Sequence, residues 1–75
     1  MPDKAESETI EIVVNGEART APRGVLLLDY LQSLGLDVTR LAVELDRRIV
    51  KKPEWASTTL HDGARLEIVH FVGGG

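Results

Sequence analysis

The sequence predicts a single α+β domain with one main helix packed across a sheet of four to five strands. Three observations carry that prediction. A β-branched segment closes on Asn15-Gly16, one leucine-rich stripe follows at helical spacing, and the longest later β-branched run lies near the carboxyl end. A chain of 75 residues cannot divide its apolar side chains between two cores, and at this size it buries only about 60% of its unfolded surface. One packed core is expected, with little room beside it for an enclosed active site.

Each element has its own local signal. Thr-Ile-Glu-Ile-Val-Val at residues 9–14 sets Ile10, Ile12 and Val14 on one face at period two, which is a strand. Asn15-Gly16 suits the two positive-φ positions of a type I′ turn, so residues 17–20 return as its partner in a hairpin. After Pro22, residues 25–34 place Leu27, Leu31 and Leu34 on one helical stripe with Leu28 beside them, and Gly35 stands where a helix ends. The helix start is poorly marked, because Arg23 and Gly24 offer no side-chain cap and only Asp29 favours the positive end of the dipole. Leu41, Val43 and Leu45 alternate against Ala42 and Glu44 in a third strand, and the apolar pair Ile49-Val50 marks a short fourth. Pro53 blocks a central strand, and Trp55 reads as the core anchor of an irregular segment or a single helical turn. Asp62-Gly63 is a turn, and residues 64–72 form the last strand. The order is β-β-α-β-β-β, without repeats or a linker.

Composition narrows the function. A hydrophobic fraction of 43% with 28% charged residues excludes a largely disordered chain, and a net charge of -3 has the wrong sign for neutralising many phosphates. No nucleic-acid partner is expected. The absence of cysteine removes disulfides, a thiolate nucleophile and Cys-ligated zinc, and two histidines make a sparse metal site, so no metal is expected. No stretch approaches the roughly 18 apolar residues of a membrane span. A cytoplasmic protein without membrane contact is the simplest class. Residues 1–8 read as a flexible leader, 9–72 as the folded domain and 73–75 as a flexible glycine tail.

The Gly73-Gly74-Gly75 ending directly after a strand is the most informative feature. Glycine adopts backbone angles closed to other residues, and such a tail can be drawn extended through a channel too narrow for side chains. Its carboxylate is then an unhindered acid on a flexible arm. Phe71 and Val72, beside that tail, would be exposed unless a partner covers them, which points to an interface. His61 and His70 lack the further ligands or nucleophile of a catalytic group and read as surface or interface residues. Arg40, Arg47, Arg48, Lys51 and Lys52 form a basic region that reads as a solvated strand edge, with partner docking as the alternative.

From about Thr9 onward the chain resembles the ThiS-type sulfur carriers of thiamine biosynthesis, within the ubiquitin-like β-grasp superfamily. The resemblance rests on Val14-Asn15-Gly16, on the segment from Ala42-Val43-Glu44-Leu45-Asp46-Arg47-Arg48 to Ile49-Val50 with Pro53 and Trp55 behind it, and on the ending from Asp62-Gly63 through His70-Phe71-Val72 to the three glycines. It departs at Lys51-Lys52, which precede the proline where the family often has proline directly after its valine. The superfamily implies a mixed sheet whose first and last strands are parallel neighbours, joined by a right-handed crossover.

The resemblance also implies chemistry. A partner adenylating enzyme of the E1-like type would use ATP to turn the Gly75 carboxylate into an acyl-adenylate, a sulfur donor protein would convert it to a thiocarboxylate, and thiazole synthase would take the sulfur. Gly75 is then the reacting residue, and Phe71, Val72, Gly73 and Gly74 are the partner-binding tail. The chain would be a protein co-substrate rather than an enzyme. It has no G-x-x-x-x-G-K-[ST] loop and no G-x-G-x-x-G turn, so no bound cofactor is expected and ATP belongs to the partner. The alternatives are the small subunit of molybdopterin synthase, a non-covalent β-grasp interaction module, or conjugation to protein lysines.

Overall fold

The computed structural model describes residues 8–71. They run as β1 (Thr9–Val14), β2 (Glu17–Pro22), α1 (Leu27–Ser33), a 3-10 helix (Val38–Arg40), β3 (Leu41–Leu45), β4 (Arg48–Ile49), a second 3-10 helix (Lys52–Ser57) and β5 (Arg65–His70). The strands make one five-stranded sheet in the order β2-β1-β5-β3-β4. β1 and β5 are parallel and every other pair is antiparallel. The parallel pairing of first and last strands matches the superfamily expectation. Met1 to Ser7 of the expected leader, Val72 and the glycine tail lie outside the described residues.

The period-two pattern of the strands becomes one buried face. Ile10 and Ile12 of β1, Leu41 and Val43 of β3 and Leu66 and Ile68 of β5 are buried, and Leu27, Tyr30 and Leu31 of α1 pack in the same core. The helix is shorter than the 25–34 pattern. Its start is held by tertiary contacts rather than a cap: the Leu27 N–H donates to the Thr58 carbonyl at 2.7 Å, and the N-cap residue Leu26 has no side-chain cap bond. Val25 is pulled into extended pairing, its carbonyl accepting from the Leu60 N–H at 3.0 Å. Leu34 is 39% exposed and leaves the stripe, because the helix ends at Ser33 and Gly35 takes φ +75° there. Tyr30, three residues from Leu27, completes the buried face with Leu31.

Two hairpins close on two-residue turns. Asn15 and Gly16 have φ of 50° and 83°, as their sequence predicts. The Asn15 side chain does more than tolerate the turn: its Oδ1 accepts from the Ile68 N–H at 2.7 Å and its Nδ2 donates to the Ile68 carbonyl at 3.1 Å. The second turn, Asp46-Arg47, reaches positive φ of 51° and 70° without glycine. It is held from β5, since Asp46 Oδ1 accepts from the Arg65 N–H at 2.9 Å and the Asp46 N–H donates to the Arg65 carbonyl at 2.8 Å. β4 is Arg48–Ile49 rather than Ile49-Val50, because the turn brings Arg48 opposite Leu45. Trp55 is buried in the second 3-10 helix and donates from Nε1 to the Val50 carbonyl at 2.8 Å, which makes it the expected anchor.

His61 fastens the same turn from the other side. Its Nε2 lies 2.6 Å from Asp46 Oδ2 and its Nδ1 lies 2.9 Å from the Asp62 carbonyl oxygen. Both ring nitrogens face acceptors, so only the imidazolium satisfies both at once. The hydrogen bond that His61 donates to Asp46 is the main cause that raises the His61 pKa, and the same bond is the main cause that lowers that of Asp46.

Three outcomes test this account of the fold. Leu31 is fully buried, so Leu31→Ala should cost about 2 to 5 kcal/mol in urea unfolding, and unchanged stability would refute the helix register. Asn15→Gly keeps the left-handed backbone but removes both side-chain bonds to Ile68, and a loss of about 1 to 3 kcal/mol is expected. The third concerns pH. The raised His61 pKa contributes stability that is complete below the ordinary imidazole value and is lost as pH rises through the folded value. The lowered Asp46 pKa contributes stability present above the ordinary carboxylate value and lost as pH falls through its folded value. The pair is therefore strongest between about pH 4 and 6.5. Both side chains are substantially exposed, so the stability gap between the native protein and His61→Gln should stay below about 1 kcal/mol. It should peak near about pH 5 to 6 and shrink by about pH 9, and a gap that grows with alkalinity would contradict the pairing.

Candidate functional site

β5 lies in the interior of the sheet, paired on one side with β1 and on the other with five residues of β3. Its pattern Arg-Leu-Glu-Ile-Val-His turns Leu66 and Ile68 into the core and leaves Glu67 and Val69 outside. The ladder continues one residue beyond the strand, where the Phe71 N–H donates to the Arg40 carbonyl at 2.8 Å. Phe71 is thus held by its backbone while its side chain is 57% exposed. A large apolar ring at the end of a fixed strand suits recognition by another surface. Of the residues predicted to form the site, Phe71 is described in this position, and Val72, Gly73, Gly74 and Gly75 lie outside the described residues.

The other candidates resolve into structural duties. His61 is bound to Asp46 and to the Asp62 carbonyl, and His70 is an exposed residue at the end of β5 opposite Leu41. Within the basic region, Arg40 pairs with Asp37 at 3.6 Å, Lys52 Nζ donates to the Thr39 carbonyl at 2.6 Å, and Arg48 lies on the edge strand β4. A charged residue there resists edge-to-edge association. The Asp37 carboxyl sits below the usual carboxylate range because the Thr39 hydroxyl and N–H donate to it. Among the described residues no group of three or more His, Cys, Asp or Glu side chains is placed to hold a metal ion, and no helix is long and apolar enough to cross a membrane.

Sequence reasoning missed the open face of the sheet. Ile49 is 77% exposed and Val69 54% exposed, and the antiparallel register sets Ala42 opposite Val69 and Glu44 opposite both Glu67 and Ile49. The available signal was the alternation itself. If Leu66 and Ile68 enter the core, then Glu67, Val69 and Phe71 share the other face. Such a surface has the means to bind, and it carries no nucleophile paired with a base.

This architecture has relatives. The model of the ThiS family matches residues 12–75. The crystal structure of the thiamine biosynthesis protein ThiS from Geobacter metallireducens superposes with a TM-score of 0.76 at 26% identity, covering 88% of this chain and 100% of that one. A thiazole synthase from Paramagnetospirillum magneticum is 39% identical over 66 residues, and one from Magnetococcus marinus is 33% identical over 66 residues. Each match covers 88% of this chain, which spans 20% of the length of those two proteins. A family match that runs from β1 through the glycine ending, on a five-stranded mixed sheet of the β-grasp type, places the chain in the ThiS family.

Proposed function

We propose that this chain is a sulfur carrier for thiazole formation in thiamine biosynthesis, with Gly75 as the group that reacts. The observation that carries the reading is the family match through residue 75 on a chain whose last described residue presents an exposed aromatic ring ahead of Val72-Gly73-Gly74-Gly75. A free carboxylate is a poor electrophile. In the proposed sequence its oxygen attacks the α-phosphorus of ATP on a partner adenylating enzyme, pyrophosphate leaves, and an acyl-adenylate forms. Hydrosulfide delivered by a donor protein then attacks the acyl carbon, the acyl–oxygen bond to AMP breaks and AMP leaves, and loss of the proton gives a thiocarboxylate at Gly75. Thiazole synthase transfers that sulfur to its substrate, and an oxygen from water or from the substrate's carbonyl takes its place and restores the carboxylate.

The division of labour follows from what the chain contains. It supplies a recognisable fold, a ring at the start of the tail and a carboxylate without a neighbouring Cβ. The partner supplies ATP binding and the electrostatic stabilisation of the developing charge. Three glycines let the chain end enter a channel that a branched residue would obstruct.

The test is intact mass spectrometry after incubation with ATP, the adenylating enzyme and a sulfur source, where replacement of one oxygen by sulfur is expected. ATP-pyrophosphate exchange then separates the roles. A C-terminal tag that converts the Gly75 carboxylate to an amide should abolish exchange at every partner concentration. Gly74→Val should block it with the fold intact. Phe71→Ala should weaken the encounter by about 1 to 3 kcal/mol, with turnover largely restored at saturating partner. Normal exchange in the tagged protein would rule out Gly75 as the reacting group.

A further inference from the structure

The face of the sheet turned away from α1 has an arrangement that folding does not require. Glu44 and Glu67 stand directly opposite each other across β3 and β5. Like charges in that position destabilise a sheet, and neither carboxylate has a hydrogen-bond or ion-pair partner among the described residues. Arg65 precedes Glu67 by two residues on this face, and toward the other end of β5 the surface is apolar. Ile49 lies across from Glu44 on β4, Ala42 pairs with Val69, and Phe71 continues the alternation of β5. Ala42, Val43, Glu44, Ile49, Glu67 and Val69 line a shallow hollow of about 150 Å³. That is below the 300 to 1,000 Å³ of typical small-molecule sites, and it suits one inserted side chain.

We propose that this face docks thiazole synthase, through an apolar surface on that enzyme that lowers a Lys or Arg side chain into the hollow between Glu44 and Glu67. The proposal rests on the carrier reading above and adds the surface by which the carrier is delivered. Two observations select this occupant. The thiazole synthases of Paramagnetospirillum magneticum and Magnetococcus marinus each contain a stretch similar to this chain within one polypeptide, and a tether raises the effective concentration of two parts only to advantage when their surfaces meet. Phe71 follows Val69 by two residues and is exposed, so an enzyme seated on Ile49 and Val69 lies close to the residue from which the tail begins.

The complementarity explains the two carboxylates. Two negative charges with no internal partner repel each other in the free protein and gain most when a cation is brought to them in a partly desolvated hollow. The apolar rim of Ile49, Val69 and Phe71 supplies the water exclusion. So few side chains cover less than the 1,200 to 2,000 Å² of a stable complex, which gives the fast release that a recycled carrier needs.

The experiment titrates the full, unactivated chain into a stand-alone thiazole synthase from the same organism by calorimetry. Ile49→Asp and Glu67→Lys should each raise Kd about tenfold or more. The double variant Glu44→Gln/Glu67→Gln should also raise Kd several-fold while its melting temperature holds or increases, because the like-charge pair is relieved. A role in folding alone would instead lower the melting temperature and leave Kd unchanged. Wild-type affinity in Ile49→Asp and in the double variant overturns the proposal, as does failure of the native chain to bind thiazole synthase. Loss of ATP-pyrophosphate exchange in Ile49→Asp with unchanged thiazole synthase affinity also overturns it, by assigning the face to the adenylating enzyme. The carrier reading is judged separately, from thiocarboxylate formation on the native chain, so either one fails without the other.

Discussion

The Asn15 side chain is the interaction on which the rest of the molecule depends. β1 and β5 share two residue pairs before β1 turns away into β2. A parallel pairing that short would leave the upper half of β5 bonded on one side. Asn15 prevents this by placing its amide where the next peptide group of β1 would have been, donating to and accepting from Ile68. One residue therefore forms the first hairpin, by accepting positive φ, and extends the central pairing. Glycine meets the first requirement alone, and aspartate lacks the donor for the second. With β5 secured from Ala64 to Ile68, the register of β3 against it follows, and so do the outward positions of Glu67, Val69 and Phe71.

The carboxyl end of the chain is served by a body arranged around the opposite need. Its interior is small and, among the described residues, holds no buried charged side chain, with Tyr30 and Trp55 bringing the polar atoms of its aromatic rings. Its polar bonds go instead to turns and element ends: Asp46 to Arg65 and His61, Asp62 to the Glu11 N–H at 2.8 Å, Asp37 to Thr39. These bonds hold turns and a 3-10 helix start, so the faces of the sheet are left free of them. Under the proposed carrier function, in which Gly75 reacts, a rigid, recognisable body matters more than a cleft, and a core of this kind provides it.

Most of the fold was legible because its strands and its first turn carry strong local signals. Asn15-Gly16, the alternation in β1 and β3, and Gly35 after the helix each act within a few residues. The helix start was obscured because tertiary hydrogen bonds from Thr58 to Leu60 replace the missing cap, and no short-range pattern records them. Asp46-Arg47 escaped notice because the turn lacks glycine and draws its support from Arg65 and His61, far along the chain. For the site, the terminal glycines were conspicuous and the open face was not. Glu44 and Glu67 look like ordinary surface residues until the register puts them opposite each other, and register is a property of two strands rather than one.

The interior position of β5 has a mechanical consequence. If the proposed carrier is gripped by its end, a partner that draws the tail inward exerts tension on β5, the strand that precedes it. An edge strand would peel under that load one bond at a time. β5 is flanked by a parallel neighbour on one side and an antiparallel neighbour on the other, and the Asn15 amide braces it midway. Tension along the strand loads these bonds together in shear, so the body resists as a unit and the pull is spent on orienting the terminus.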